Sequence, residues 1–172
     1  MSYLGSILWI VPLLIHVAYI LATYDHLPAA LGPRAGEGIP PKTFFIWWFA
    51  IIGLANLAFT FLHVRLPKLK KKSLVVPGQA YWLSTSELKK ELVDRLRGII
   101  EAALLGLNVF FLAIYQMIYQ TNAVRPVIVI SLPMLVSIFM GGALIVVVGS
   151  MIITIRGLAK DAPKNAKPLA PN

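Results

Sequence analysis

Four stretches of this chain are almost wholly apolar, and each is long enough to cross a lipid bilayer: residues 4–23, 43–64, 99–119 and 127–155. A hydrocarbon layer of about 30 Å requires roughly 20 apolar residues in a helix. Backbone amides have no water to bond to in that layer, so each stretch is expected to be helical. Glu101 is the one charged residue among them, and it lies next to an end. A hydrophobic fraction of 58% with 13% charged residues is outside the range of water-soluble domains. The first stretch lacks a positive leading region and a small-residue cleavage site, so it reads as a retained span rather than a secretory signal.

The charges assign sides. Nine of the sixteen Lys and Arg residues lie between Arg65 and Arg97, and four more follow the last span at Arg156, Lys160, Lys164 and Lys167. Arg34, Lys42 and Arg125 fall on the opposite side. The excess of cations in cytoplasmic loops then places both termini and the middle loop in the cytoplasm of a bacterial-type inner membrane. The net charge of +9 is read as a topology signal, not as a nucleic-acid footprint. The expected architecture is a single all-α integral membrane domain, residues 1–172, with four transmembrane helices arranged as two hairpins. An outer loop (24–42), a cytoplasmic loop (65–98) and a basic tail (156–172) complete it.

The outer loop, YDHLPAALGPRAGEGIPPK, holds four prolines and three glycines and is expected to be a compact irregular cap, neither helix nor central strand. The cytoplasmic loop opens with a basic run suited to anionic headgroups. Tyr81 and Trp82 follow, rings favoured at headgroup depth, and are read as anchors to the membrane or to a neighbouring subunit. Ser84 and Glu87 have capping-box spacing and predict an amphipathic helix starting at Ser84. Its apolar flank is Leu88, Leu92, Leu96, Ile99 and Ala103, and it runs into the third span with a bend expected at Gly98.

Two motifs resemble a known group. Tyr24-Asp25-His26-Leu27-Pro28 after the first span, with Gly36 and Lys42 before the second, is similar to the outer-loop signature of the small membrane family related to the Sdp immunity protein. Val76-Pro77-Gly78-Gln79-Ala80-Tyr81-Trp82-Leu83 resembles a cytoplasmic element of the same group. The resemblance covers roughly residues 1–122. It implies a helical inner-membrane protein, with some members linked to toxin immunity and signal relay. The family's His-Phe pair is replaced by ALGPRAGEG after Pro28, so a function that needs that histidine does not carry over.

Polar residues within the spans are few, and each has a bland reading beside a functional one. His16 is an intramembrane histidine that could ligate a haem iron or pigment magnesium, but it has no second histidine at its depth. A hydrogen bond across helices is the favoured reading. Asn56 and Asn108 fall near the middle of antiparallel spans and are expected to pair. His63 and Glu101 share a depth and could handle a proton, although pairing of Glu101 with Arg97 one turn back is the simpler expectation. Small residues at contact spacing occur at Ala102 with Gly106, Ser137 with Gly141, and Ser150 with Thr154.

The chain has no cysteine, and it shows no metalloprotease, nucleophile-elbow, P-loop or dinucleotide motif. Seven acidic residues, mostly in loops, leave little material for catalysis. No catalytic residue, metal site or cofactor is expected. The function expected is binding, as an accessory subunit of a larger membrane complex or as an immunity or signal-relay component. The partners expected are lipids, other subunits or a second copy. The rival is a small transporter or cofactor-binding protein using His16 and the Asn56 and Asn108 pair.

Overall fold

The structure is a computed structural model that describes residues 10–34, 37–70, 73–123 and 141–162, with single positions at 131, 134 and 138. The elements in order are helix α1 (Ile10–Thr23), a 3-10 turn (Tyr24–His26), strands β1 (Leu31–Arg34) and β2 (Glu37–Ile39), and helix α2 (Pro41–Arg65) with a 3-10 turn (Leu66–Lys68). Then come the short helix α3 (Gln79–Trp82), helix α4 (Ser86–Asn122) and helix α5 (Gly141–Asp161). Three helical stretches among the described residues are long and apolar enough to cross a membrane: Pro41–Lys68, Ser86–Asn122 and Gly141–Asp161. The shorter apolar stretch Ile10–His26 stands beside them. The protein is thus a helical membrane protein by the length and composition of its helices. Residues 4–9 of the expected first span, and nearly all of 127–140 of the expected fourth, lie outside the described residues.

The surface fits that environment. Leu54 and Leu57 on α2, and Leu144, Ile145 and Ile153 on α5, are each more than 60% exposed. Contiguous apolar surface on this scale marks a membrane or a partner, not water.

Helix α4 is the hub, packing against α1, α2, α5 and β1. It is 37 residues long and unbroken through Gly98, so the amphipathic helix and the third span are one element about 55 Å in length. Gly106 lets α5 approach, since a Cβ there would lie 2.8 Å from Val147 Cγ2 and 3.4 Å from the carbonyl oxygen of Ala143.

Two clusters fill the interior. One joins α1, α2 and α4 through Ile20, Phe45, Trp48, Ile52, Phe111, Tyr115 and Tyr119. The other gathers Leu74, Trp82, Leu83 and Leu92 against Leu158 and Ala162 at the basic end of the molecule. Three residues of the expected flank of the amphipathic helix lie in the second, with Leu92 buried and Leu88 and Leu96 packed against it, while Ile99 and Ala103 do not belong to it.

Residues 24–42 depart from the irregular cap expected of them. Strands β1 and β2 form an antiparallel ribbon pairing Leu31 with Ile39 and Arg34 with Glu37. Both strands of a two-stranded sheet are edges, where proline is tolerated, so the Pro33 that argued against a central strand does not exclude this one. Gly38 is required by close approach: with φ +147°, a Cβ would fall 1.9 Å from the Leu31 carbonyl oxygen. Pro41 then starts α2 at its first turn, where a missing N–H costs nothing.

Candidate functional site: a polar ladder along the central helix

Glu101, Asn108, Tyr115 and Asn122 recur every seven residues on α4. Seven residues are nearly two helical turns, so these side chains form one row. Each meets a polar partner from another element. His63 Nε2 lies 3.1 Å from Glu101 Oε1. Asn56 and Asn108 exchange two amide hydrogen bonds, of 2.9 and 3.0 Å. The hydroxyls of Thr23 and Tyr115 are 2.6 Å apart. The Gly32 amide donates to Asn122 Oδ1 at 2.9 Å, tying the ribbon to the end of α4. Beside the row, Tyr19 donates its hydroxyl to Gln116 Oε1.

The donors can be assigned. Thr23 donates to the Tyr19 carbonyl at 2.7 Å, so the proton between Thr23 and Tyr115 belongs to Tyr115. Asn56 also reaches the Ile52 carbonyl at 2.9 Å, which holds its amide in the orientation that the pair requires. In a lipid-surrounded bundle, such bonds satisfy groups that would otherwise be stranded, and they fix helix register.

His16 is 1% exposed and accepts a hydrogen bond at Nε2 from the Trp48 indole at 3.1 Å. Its proton therefore sits on Nδ1, which is buried without a hydrogen-bond partner among the described residues. The lone pair that a metal would take at Nε2 is already engaged. Among the described residues, no three His, Asp or Glu side chains converge as a metal would need.

His63 and Glu101 are brought together, against the expectation that Glu101 would pair with Arg97. Arg97 instead lies 3.6 Å from Asp94, one turn toward the helix start. Glu101 projects toward α2, where the histidine waits at the same depth.

The basic end differs from expectation at two residues. Ser84 is not the cap: Thr85 accepts from the Leu88 amide at 3.2 Å, and the helix begins at Ser86. The Ser84 hydroxyl instead donates back to the Tyr81 carbonyl at 2.7 Å, closing the turn after α3. Glu87 is accordingly in the first turn, one position earlier in the helix than a capping box requires. Its own amide, then the Ser86 and Thr85 hydroxyls, holds its carboxyl below the usual range.

Trp82 is no anchor to a lipid surface or a neighbouring subunit. It is 1% exposed, and its indole N–H donates to the Leu158 carbonyl at 3.1 Å, near the end of α5. The Arg95 guanidinium stacks 5.0 Å over the ring and bridges Asp161 at 2.7 Å and Glu91 at 2.6 Å. The Asp161 hydrogen bond, and more weakly Glu91, raises the Arg95 pKa above its ordinary value. Tyr81, half-buried, packs edge-on against Trp82 with ring centroids 5.1 Å apart. Gly78, with φ +68°, passes so close to Ala162 that a Cβ would sit 2.3 Å from the alanine methyl. Tryptophan, arginine and glycine thus clamp the end of α5 against the base of α4.

At the ribbon end, Tyr24 is exposed with its ring 5.4 Å from Phe45, and Leu27 packs against the aromatic cluster. Pro28 is half-buried and Lys42 is exposed in the first turn of α2, while Gly36 lies outside the described residues. Sequence reasoning missed Thr23, Tyr115, Trp48, Tyr19, Gln116 and Asn122. The seven-residue spacing from Glu101 and Asn108 would have pointed to Tyr115 and Asn122. Neither a family model, nor a curated protein, nor a solved structure matches this chain.

Proposed function

We propose that this is a non-enzymatic multi-pass membrane protein that acts by binding, as an accessory or structural subunit of a larger membrane complex or as an immunity or signal-relay component. The observation that carries this reading is a contrast within the molecule. Thr23 with Tyr115, Asn56 with Asn108 and His63 with Glu101 are engaged with one another, whereas α5 presents apolar side chains such as Leu144, Ile145 and Ile153 outward. A chain that spends its buried polarity on internal register and leaves a long apolar face open is suited to packing beside other membrane helices. The motif resemblance to the Sdp immunity-related family enters here as part of the proposal. Purification in mild detergent, with identification of co-migrating chains, is the test. A stable partner or homo-oligomer is expected, and a chain that migrates alone in every mild detergent overturns the reading.

The proposed topology has four spans in two hairpins, with both termini and the 65–98 segment in the cytoplasm of a bacterial-type inner membrane. Reporters fused after Asn172 and within 66–75 are expected to read cytoplasmic, and one near Arg34 external. The opposite pattern overturns the side assignment.

One observation favours a second reading, a small transporter or cofactor-binding protein: the buried His16 Nδ1 without a partner among the described residues. It predicts a cofactor absorbance or a solute flux that His16→Ala or Asn108→Ala abolishes. Absorbance from protein alone, with no flux, removes it.

A further inference from the structure

A pocket of about 240 Å³ opens beside the first turns of α4, between Ser86, Lys89, Lys90, Asp94, Arg97 and Pro67. It is smaller than the sites of about 300–1,000 Å³ that hold drug-sized molecules, which suits a compact headgroup. Three of its side chains are cationic and one is anionic. Lys89 and Lys90 make no ion pair among the described residues. Arg97 is held only by Asp94, at 3.6 Å, beyond hydrogen-bond length, and its Nε has no partner among the described residues. The walls thus carry a net charge of about +2, with unspent donors on Arg97 and both lysines.

Its position is as informative as its charge. Arg97 stands just before Ile99, where the apolar run of α4 begins, and Pro67 lies just beyond α2, whose apolar run ends at Arg65. The pocket therefore sits where two helices leave the apolar layer, at the depth of lipid phosphates, with the His63 and Glu101 pair one turn deeper. Arginine and lysine together are suited to phosphate, the guanidinium by its planar fork and the ammonium by its point charge.

We infer that this pocket is a binding site for the phosphate of an anionic phospholipid, with Lys89, Lys90 and Arg97 as its ligands. The inference rests on the proposed membrane embedding. Asp94, 3.6 Å from Arg97, opposes the ligand by its charge.

The test is native mass spectrometry of the full chain in mild detergent, titrated with phosphatidylglycerol or phosphatidylcholine. Phosphatidylglycerol is expected to bind the more tightly. At about fivefold per cation near the surface, Lys89→Gln with Arg97→Gln weakens it about 25-fold. Arg97→Lys keeps most of the binding. Asp94→Asn tightens it about fivefold, a gain that misfolding cannot produce. Arg156→Gln with Lys160→Gln, at the end of α5, removes the same charge elsewhere and leaves the affinity unchanged. Equal affinity for both lipids, or equal losses in the two double variants, overturns the site. Displacement of the lipid by low-millimolar inorganic phosphate would assign the pocket to free phosphate and overturn the lipid source. A chain that stays dispersed without detergent would instead overturn the membrane embedding, and that result is read separately from any lipid titration.

Discussion

The indole of Trp82 donates to the main-chain carbonyl of Leu158 across a gap of 76 residues in sequence, and it does so from a position with 1% exposure. The Leu158 carbonyl also accepts from the Ala162 amide at 3.3 Å, so the indole fills its second lone pair, and a typical hydrogen bond contributes about 0.5–1.5 kcal/mol net. Trp82→Phe keeps most of the ring and removes this donor, so a loss of about 0.5–1.5 kcal/mol is expected. Trp82→Ala also empties the cluster around Leu92 and is expected to cost about 3–5 kcal/mol. Both changes are read by the rate of tryptic cutting after Lys160, which should rise in that order.

Thr85, not Ser84, is expected to carry the cap energy of α4. Thr85→Ala should cost about 0.5–2 kcal/mol and speed tryptic cutting at Lys89 and Lys90. Ser84→Ala loses only an exposed side-chain bond to the Tyr81 carbonyl, and its cutting rate should stay near that of the unaltered chain. The reverse ranking would move the helix start back to Ser84.

The two amide bonds between Asn56 and Asn108 predict coupling in a double-mutant cycle. With Asn56→Leu and Asn108→Leu measured singly and together by detergent unfolding, the interaction term is expected at about 0.6–2 kcal/mol. Each single change takes both bonds of the pair from the amide that remains, so the double variant should be more stable than the sum of the singles. Simple additivity would show that the pair contributes nothing to register.

Gly106 offers a suppressor test of the α4 and α5 contact. Gly106→Ala puts a methyl 2.8 Å from Val147 Cγ2, and overpacking of this kind costs about 1–3 kcal/mol. Val147→Ala removes the opposing methyls and should restore most of the loss. Thermal unfolding in detergent reads both variants.

The long apolar helices were legible because their signal is compositional and repeats over twenty residues or more. The Asn56 and Asn108 pair was legible because matched depth follows from counting along antiparallel spans. Tyr115 and Tyr119 were not, since tyrosine in a span counts as one more apolar ring, and only the partner decides whether its hydroxyl is used. Ser84 and Thr85 are adjacent cap formers, and the choice between them depends on which hydroxyl faces the first free amide, a matter of local dihedral angles. Trp82 has the amphipathic character of an interfacial anchor. Its burial follows from where α5 ends, a tertiary fact with no local trace. The β-ribbon hides behind its prolines, which forbid a central strand and permit an edge.

The continuity of α4 has a mechanical consequence. A helix of 37 residues, about 55 Å long, is a stiff rod that exceeds the thickness of the hydrocarbon layer by nearly half its own length. If its Asn122 end is held by the ribbon as pivot, a tilt of roughly 10° sweeps the Ser86 end through about 10 Å. Trp82 and Arg95 lash α5 to that same end, so such a tilt would carry the end of α5 with it, and a small rotation at the ribbon would become a large displacement at Ser86.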